Sequence, residues 1–278
     1  MKAPINKIIE FSNVDGPGNR LAVFFQACPF NCLYCHNPET LRLCDNCGLC
    51  SFSCPQQALS YLDGKIVYDS DKCDNCDNCV HTCPNFSDPR VREYEVEEVL
   101  AVIKEYQAFI RGITVSGGEP MMYADFLSEL FRHVKALSLS RLIDSNGFYD
   151  FRAYRELLDN CDGVMLDVKA YDEEFHLRLC GKSNHNTLSN LSYLKEKNKL
   201  QEVRTVLLPG EAENNRKTIA YVIDQIKDSC DYKLIRYRPQ GVAKKGLAVY
   251  GGVELAEEEF QTYVAYARAL GAQCLVIR

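Results

Sequence analysis

Three cysteines stand in a C-x3-C-x2-C run, Cys28-Pro29-Phe30-Asn31-Cys32-Leu33-Tyr34-Cys35, with His36-Asn37 directly behind. A loop this short can bring three thiolates to one centre. Thiolates are soft ligands that select iron–sulfur clusters, zinc or copper. A cubane cluster is normally held by four cysteines, so three leave one iron with an open position where a small molecule can bind and be activated. The competing reading is a structural zinc knot with His36 as fourth ligand, or three ordinary buried cysteines.

A second cysteine pattern follows. Cys44-x2-Cys47-x2-Cys50-x3-Cys54-Pro55 recurs at Cys73-x2-Cys76-x2-Cys79-x3-Cys83-Pro84, and the fillers agree, Asp45-Asn46 beside Asp74-Asn75. This is the bacterial ferredoxin spacing, in which the fourth cysteine of each run crosses to the other cluster. Cys44, Cys47, Cys50 and Cys83 are therefore assigned to one cluster, and Cys73, Cys76, Cys79 and Cys54 to the other. Paired zinc sites are the alternative, but zinc ribbons use two C-x2-C pairs rather than a four-cysteine run. If the triplet holds a cluster as well, the chain carries three [4Fe-4S] clusters. So short a segment has little apolar content, and the clusters themselves are expected to hold it folded.

The composition agrees. The chain has 278 residues, 46% hydrophobic, enough for a sizeable core. The formal net charge of −6 argues against bulk nucleic-acid binding. No apolar run is long enough to span a membrane, and Met1-Lys2-Ala3-Pro4 lacks the apolar core of a signal peptide. Fifteen cysteines without a secretion signal argue for metal ligation in a reducing cytoplasm rather than disulfides, and eleven of them fall between Cys28 and Cys83. Cys161, Cys180, Cys230 and Cys274 are scattered and are expected to be small buried hydrophobes.

These groups need a scaffold, and the rest of the chain supplies strand–helix alternation. Residues 20–27 form an apolar run that reads as a buried strand ending just before Cys28. The two glycines in Val14-Asp15-Gly16-Pro17-Gly18-Asn19-Arg20 mark a tight turn before it. Val96, Val99, Leu100 and Ile103 recur at helical spacing, as do Phe126, Leu127, Leu130, Phe131, Val134 and Leu137. Strands are expected at 112–116, 141–143, 163–166, 202–208, 233–237 and 273–277. Helices are expected at about 150–160, across 171–199 with a break at 181–185, around 219–226 and at about 255–270. Alternation of this kind implies a parallel sheet. About six main strands suit an α/β fold, an open partial (β/α)6 barrel resembling a TIM barrel, interrupted by the two-cluster module. Residues 1–37 plus 91–278 would form the barrel and 38–90 the ferredoxin-like domain.

The polar residues with chemical potential fall just after strands, where barrels of this kind build their active sites. Gly117 and Gly118 let backbone approach a ligand closely, and Glu119 with free carbonyls can hold an ammonium group. Asp144, Ser145 and Asp167, with the Met165 carbonyl, are hard oxygen donors suited to an s-block cation; the plain alternative for Asp144 and Ser145 is a helix N-cap. Lys169 could neutralise a carboxylate or be an ordinary solvated lysine. No Ser/His/Asp set is visible. His81 reads as a spacer, and His133 and His176 as surface or packing residues.

The triplet, with Tyr34 just before its third cysteine, resembles the signature of radical S-adenosylmethionine (SAM) enzymes. Cys35-His36-Asn37, the V-D-G-P-G-x-R run and Gly117-Gly118-Glu119-Pro120 resemble the glycyl radical enzyme activating enzymes among them. Arg204 to Gly210, Gly181 to Thr187 (which could equally be a plain helix break) and R-Y-R-P-x-G-V near the end add to the likeness, most of all to the YjjW-type activases. The resemblance implies a cluster on Cys28, Cys32 and Cys35 whose unique iron is chelated by SAM. It implies that the Gly117–Glu119 loop grips the methionine amino group and Lys169 its carboxylate. Asn146 would bond the ribose, and Tyr34 and His36 would lie along the adenine. A monovalent cation would sit near Asp144 and Asp167, and the 14–20 loop near the cluster, with Asp15 as a partner contact. Arg238 stands where the pyruvate formate-lyase activator has a histidine, and is placed on the adenosine side. The implied reaction is reductive cleavage of SAM to a 5′-deoxyadenosyl radical that removes a hydrogen atom from a backbone glycine. The implied partners are a glycyl radical enzyme and a flavodoxin or ferredoxin-like electron donor, with no nucleic acid and no membrane. A radical SAM enzyme acting on a small molecule and a non-catalytic iron–sulfur electron-transfer protein are the alternatives.

Overall fold

The computed structural model describes residues 1–277. The chain opens with a hairpin, β1 (Lys2–Ser12) antiparallel to β2 (Arg20–Phe25). The cysteine triplet follows β2. Then come α1 (Leu49–Ser53), a small hairpin of β3 (Leu59–Leu62) and β4 (Lys65–Tyr68), and α2 (Asn78–Thr82). The alternating part runs β5 (Arg92–Glu95), α3 (Val96–Tyr106), β6 (Gly112–Gly117), α4 (Ala124–Lys135), β7 (Ser140–Ser145), α5 (Arg155–Asn160) and β8 (Gly163–Asp167). It continues with α6 (Glu173–Cys180), α7 (His185–Glu196), β9 (Leu200–Leu207), α8 (Ala212–Ile226), β10 (Asp231–Arg236), α9 (Lys244–Tyr250), α10 (Glu257–Ala269) and β11 (Leu275–Ile277).

One nine-stranded sheet carries the fold, in the order β11-β10-β9-β8-β7-β6-β2-β1-β5. From β2 to β11 every ladder is parallel, while β1 and β5 close one edge antiparallel. The largely parallel α/β sheet expected from the alternation is present, consistent with a partial barrel, with its six main parallel strands β2 and β6 to β10. The sequence reading did not resolve β1 and β5 as strands of this sheet, nor the β3–β4 hairpin, nor α9.

Burial explains the alternation. β2 is buried at every position, as a strand covered on both faces must be, and β6 and β8 nearly so. Phe126, Leu127, Leu130, Phe131 and Val134 all turn from α4 into the core. α3 begins at a capping box in which the Glu95 and Glu98 side chains satisfy each other's backbone N–H groups. The segment from α1 to α2 has its own small core of Cys50, Leu59, Cys79 and Val80, with Cys54, Ile66 and Tyr68 against it. Among the scattered cysteines, Cys161, Cys180 and Cys230 are buried as expected, but Cys274 is exposed, because it lies in the turn before the edge strand β11. Among the described residues no helix is long and apolar enough to cross a membrane.

Arg20 fixes the end of the sheet remote from the triplet. Its guanidinium is buried and donates to Thr114 Oγ1 at 2.7 Å, Ser140 Oγ at 2.8 Å, and the Pro17 and Ser140 carbonyls. Burial pushes its pKa down to about 10, against the pull of Asp162 and Asp15. These bonds, with Arg111 N–H on the Asn19 carbonyl at 2.8 Å, seat the 14–20 loop at the N-terminal ends of β6 and β7. The Asp15 carboxylate accepts from Ser12 Oγ at 2.5 Å. The loop therefore lies at the opposite strand ends from Cys28, not beside it as the resemblance implies. Arg20→Met orphans these buried acceptors and should lower stability by about 3 kcal/mol, read as a fall in urea midpoint at unchanged slope.

Candidate active site

After β2 the chain turns at Ala27, whose φ is +77°. The triplet loop is then pinned from three sides. Ala27 N–H donates to the Thr40 carbonyl at 2.8 Å and Cys28 N–H to Leu41 at 3.1 Å. Asn31 N–H donates to the Cys180 carbonyl at 2.8 Å and Leu33 N–H to Leu179 at 2.9 Å, so the end of α6 brackets Cys32. From α9, Gly246 packs so closely that a Cβ there would stand 1.7 Å from the Leu33 carbonyl oxygen. The fixed loop presents its thiols to one cavity of about 250 Å³.

That cavity is lined by Cys28, Cys32, Cys35, Tyr34 and His36 after β2, and by Gly117 and Gly118 after β6. Asp144, Ser145 and Asn146 at the end of β7, and Asp167 and Lys169 at the end of β8, also line it. Of the residues singled out in the sequence for this site, Glu119, Met165, Arg238 and Asp15 do not line it. Glu119 is fully buried behind it and accepts from Ser145 Oγ at 2.9 Å, Asn146 N–H at 2.8 Å and Met121 N–H at 3.1 Å. It organises the loops rather than facing a ligand. Arg238 is exposed, and its carbonyl stands 2.9 Å from His36 Nε2.

Gly117 has φ +114°, and a Cβ there would come 2.3 Å from the Phe25 carbonyl oxygen. The position therefore excludes any side chain and brings this backbone against the strand that leads to the triplet. Asn146 Nδ2 lies 3.4 Å from Cys28 Sγ at the wall of the cavity. Ser145 is turned to Glu119 and does not cap a helix.

Charge in the cavity is paired. Lys169 Nζ stands 2.8 Å from Asp167 and 5.7 Å from the centre of the Tyr34 ring. Burial works against its charge, but Asp167 and its neighbours more than offset that and hold it protonated. Asp144 accepts from Ser116 Oγ at 3.0 Å and Arg204 Nη1 at 2.9 Å. Burial pushes its carboxyl up to about 6, with Arg204 pulling the other way. Arg204, Ser116, Val206 and Ile235 also line the cavity, and sequence reasoning did not assign them to it. The signal for Arg204 was present: an arginine among the apolar residues of β9.

Several features suit a cluster with a ligand on it. Three soft thiols share one wall, and burial pushes the Cys28 thiol well up and that of Cys35 up to about 12. Both stay protonated unless a metal supplies the compensating charge. Tyr34 Oη is buried with no partner among the described residues, a polar atom left for something in the cavity. Burial pushes the His36 imidazole below its ordinary value, so it faces the cavity neutral.

Two further small cavities sort the remaining cysteines. Cys44, Cys47, Cys50 and Cys83 line one, and Cys54, Cys73, Cys76 and Cys79 the other. These are the crossed sets read from the spacing. A larger cavity of about 1280 Å³ lies between the α1–α2 segment and the sheet, and His36 lines both it and the triplet cavity.

Comparison with known proteins agrees with this geometry. Residues 22–222 match the radical SAM superfamily, to which the chain belongs. A glycyl-radical enzyme activating enzyme of Haemophilus influenzae is 30% identical over 96% of this chain and 94% of its own. The 4-hydroxyphenylacetate decarboxylase activating enzyme of Clostridium scatologenes is 32% identical over 71% and 70%. The crystal structure of QueE from Escherichia coli superposes with a TM-score of 0.54 at 14% identity, covering 100% of this chain and 94% of that one, a likeness of fold alone. Within the superfamily the chain is a glycyl radical enzyme activating enzyme, dependent on SAM and an iron–sulfur cluster.

Burial pushes the Glu119 carboxyl up to about 7, against the bonds from Asn146, Ser145 and Met121. Its folded pKa lies above its unfolded value near 4.5. The stability it contributes is therefore fully present at low pH and is lost as pH rises through 7. Glu119→Gln removes this share, so the fall in stability between pH 5.5 and 7.5 should be shallower than in the wild type. Anaerobic denaturation midpoints across that range check it.

Proposed function

We propose that the chain activates a partner glycyl radical enzyme by generating a radical on one of its backbone glycines. The observation that carries this is the convergence of loops from β2, β6, β7 and β8 on one cavity holding three thiols and a buried lysine. A [4Fe-4S] cluster held by Cys28, Cys32 and Cys35 would supply the electron for reductive cleavage of SAM, the chemistry by which a hydrogen atom would be removed from the partner's glycine.

The protein's own groups bind, orient and shield. Cys28, Cys32 and Cys35 hold the cluster. Lys169, kept cationic by Asp167, receives the methionine carboxylate, and the Gly117–Gly118 backbone receives its amino group. Tyr34 Oη and neutral His36 face the nucleoside end. Asn146 bonds Cys28 Sγ and fixes that ligand. Asp144 and Asp167 offer oxygens to a monovalent cation in a place that Arg204 and Lys169 already partly neutralise. Closing these loops around the site keeps water from the radical. Because His36 lines both cavities, the larger one gives a peptide segment a way to the adenosine end.

Residues 1–37 and 91–278 serve as the barrel and 38–90 as a ferredoxin-like domain with two [4Fe-4S] clusters on the crossed cysteine sets. These pass electrons inward from a flavodoxin or ferredoxin-like donor. The activating enzymes among the relatives favour this reading over one in which a small molecule is the substrate.

Reconstituted protein with dithionite and SAM should release 5′-deoxyadenosine and methionine. Adding a glycyl radical enzyme encoded beside the gene should give a glycyl radical doublet in its electron paramagnetic resonance (EPR) spectrum. 5′-Deoxyadenosine without any protein radical would instead point to a small molecule. Cys32→Ser should abolish SAM cleavage. Lys169→Met should weaken SAM binding about tenfold, the loss of one charge-assisted contact, read by equilibrium titration.

A further inference from the structure

The stretch 181–190 puts no side chain into the triplet cavity, yet it holds the loop that does. After β7 the chain runs through residues 146–151, and four successive carbonyls of that loop accept from side chains of α7. Thr187 Oγ1 donates to the Asn146 carbonyl at 2.8 Å, and Asn186 Nδ2 to that of Phe148 at 2.7 Å. Asn190 Nδ2 donates to the carbonyls of Gly147 at 2.9 Å and Tyr149 at 2.8 Å. Its Oδ1 accepts from Phe151 N–H at 3.0 Å. Thr187 and Asn190 are buried, so these bonds stand where loop backbone would otherwise turn to water.

Asn146 sits between two anchors. Its N–H is held by Glu119 at 2.8 Å and its carbonyl by Thr187. Its Oδ1 accepts from Phe148 N–H at 2.9 Å, which turns the amide so that Nδ2 stands 3.4 Å from Cys28 Sγ. There is no slack beside it. Gly147 has φ +72°, and a Cβ there would stand 2.9 Å from Leu166 Cδ1 and 3.0 Å from Thr187 Cα. A second route reaches the same cysteine loop. Phe30, between Cys28 and Cys32, meets Phe148 edge-on at 5.8 Å and the His176 ring at 5.3 Å. His176 Nδ1 in turn donates to the Lys182 carbonyl at 2.7 Å. An added electron makes a cluster more negative, so hydrogen bonds to its sulfurs favour the reduced form and raise its potential.

We propose that Asn186, Thr187 and Asn190 are positioning residues for the cluster ligand Cys28. They fix the backbone of residues 146–149, Asn146 thereby keeps its bond to the Cys28 sulfur, and that bond raises the potential at which the triplet cluster takes its electron. This rests on the reading that Cys28, Cys32 and Cys35 hold a cluster. All three side chains are neutral, so removing one leaves every charge around the triplet in place, and what moves is the bond.

EPR-monitored redox titration of the fully reconstituted protein tests this, with Cys32→Ser identifying the triplet couple by deleting it. Asn146→Ala should lower the reduced-to-oxidised ratio of that couple about tenfold at fixed potential, a shift of about 59 mV for one electron. Thr187→Val keeps the shape and loses the hydroxyl; it should move the couple the same way by less, and Thr187→Ser should leave it at the wild-type value. The double variant of Thr187→Val with Asn146→Ala should match Asn146→Ala alone, because both changes act on one bond. A brace with a structural role only would not show that coupling. Asn186 is exposed, so Asn186→Ala should fold; its smaller shift in the same direction decides the matter if Thr187→Val fails to load its cluster. An unmoved couple in Thr187→Val or in Asn186→Ala, a Thr187→Ser no different from Thr187→Val, or shifts that add in the double variant would each overturn the inference alone. Wild-type spectra with no couple that Cys32→Ser deletes would overturn it together with the reading of the triplet as a cluster site.

Discussion

The site depends on one buried carboxylate. Glu119 accepts from the hydroxyl of Ser145, the backbone of Asn146 and the backbone of Met121. It thereby ties the loop after β6 to the loop after β7. Asn146, so placed, reaches Cys28, and Gly117 lies against Phe25, the last residue before the turn to the triplet. Three separate strand ends become one rigid rim through a single acceptor. Hiding a carboxylate from water is unfavourable unless its oxygens are bonded, and here all three bonds serve the site.

The same economy governs the charged groups. Lys169 and Asp167 form one close pair, and Arg204 joins Asp144 and Glu202. Removing one partner from such a pair leaves an uncompensated buried charge, so these residues act as units. Lys169, Asp167, Arg204 and Asp144 line a cavity that would otherwise be a costly place for any charge.

Much of this was legible from the chain alone. Short-range spacing brings residues together whatever the fold, so the grouping of the cysteines could be read from the chain, and two small cavities each hold one of the two four-cysteine sets. The parallel strands were legible because β2 beyond Arg20 and β8 before Asp167 are apolar. Orientation was not legible. Glu119 and Arg238 sit in the right loops, but whether a side chain faces a cavity or the core depends on neighbours distant in sequence. The edge strand β5, which pairs with β1, was hidden because it is Arg-Glu-Tyr-Glu, mostly polar and without an apolar alternation. The β3–β4 hairpin was signalled by Asp63-Gly64, both at positive φ, but the surrounding cysteines drew attention to ligation instead.

The contacts from Gly241 and Gly246 have a temporal consequence. A Cβ at Gly241 would stand 2.5 Å from the His36 carbonyl oxygen, and one at Gly246 would strike Leu33. The walls that finish the triplet loop therefore come from residues more than 200 positions downstream. A ribosome making this chain exposes Cys28, Cys32 and Cys35 long before it delivers their support, and N-terminal segments ordinarily settle first. Here the loop that emerges earliest is completed latest, so iron–sulfur delivery to it must wait for the nearly full-length chain.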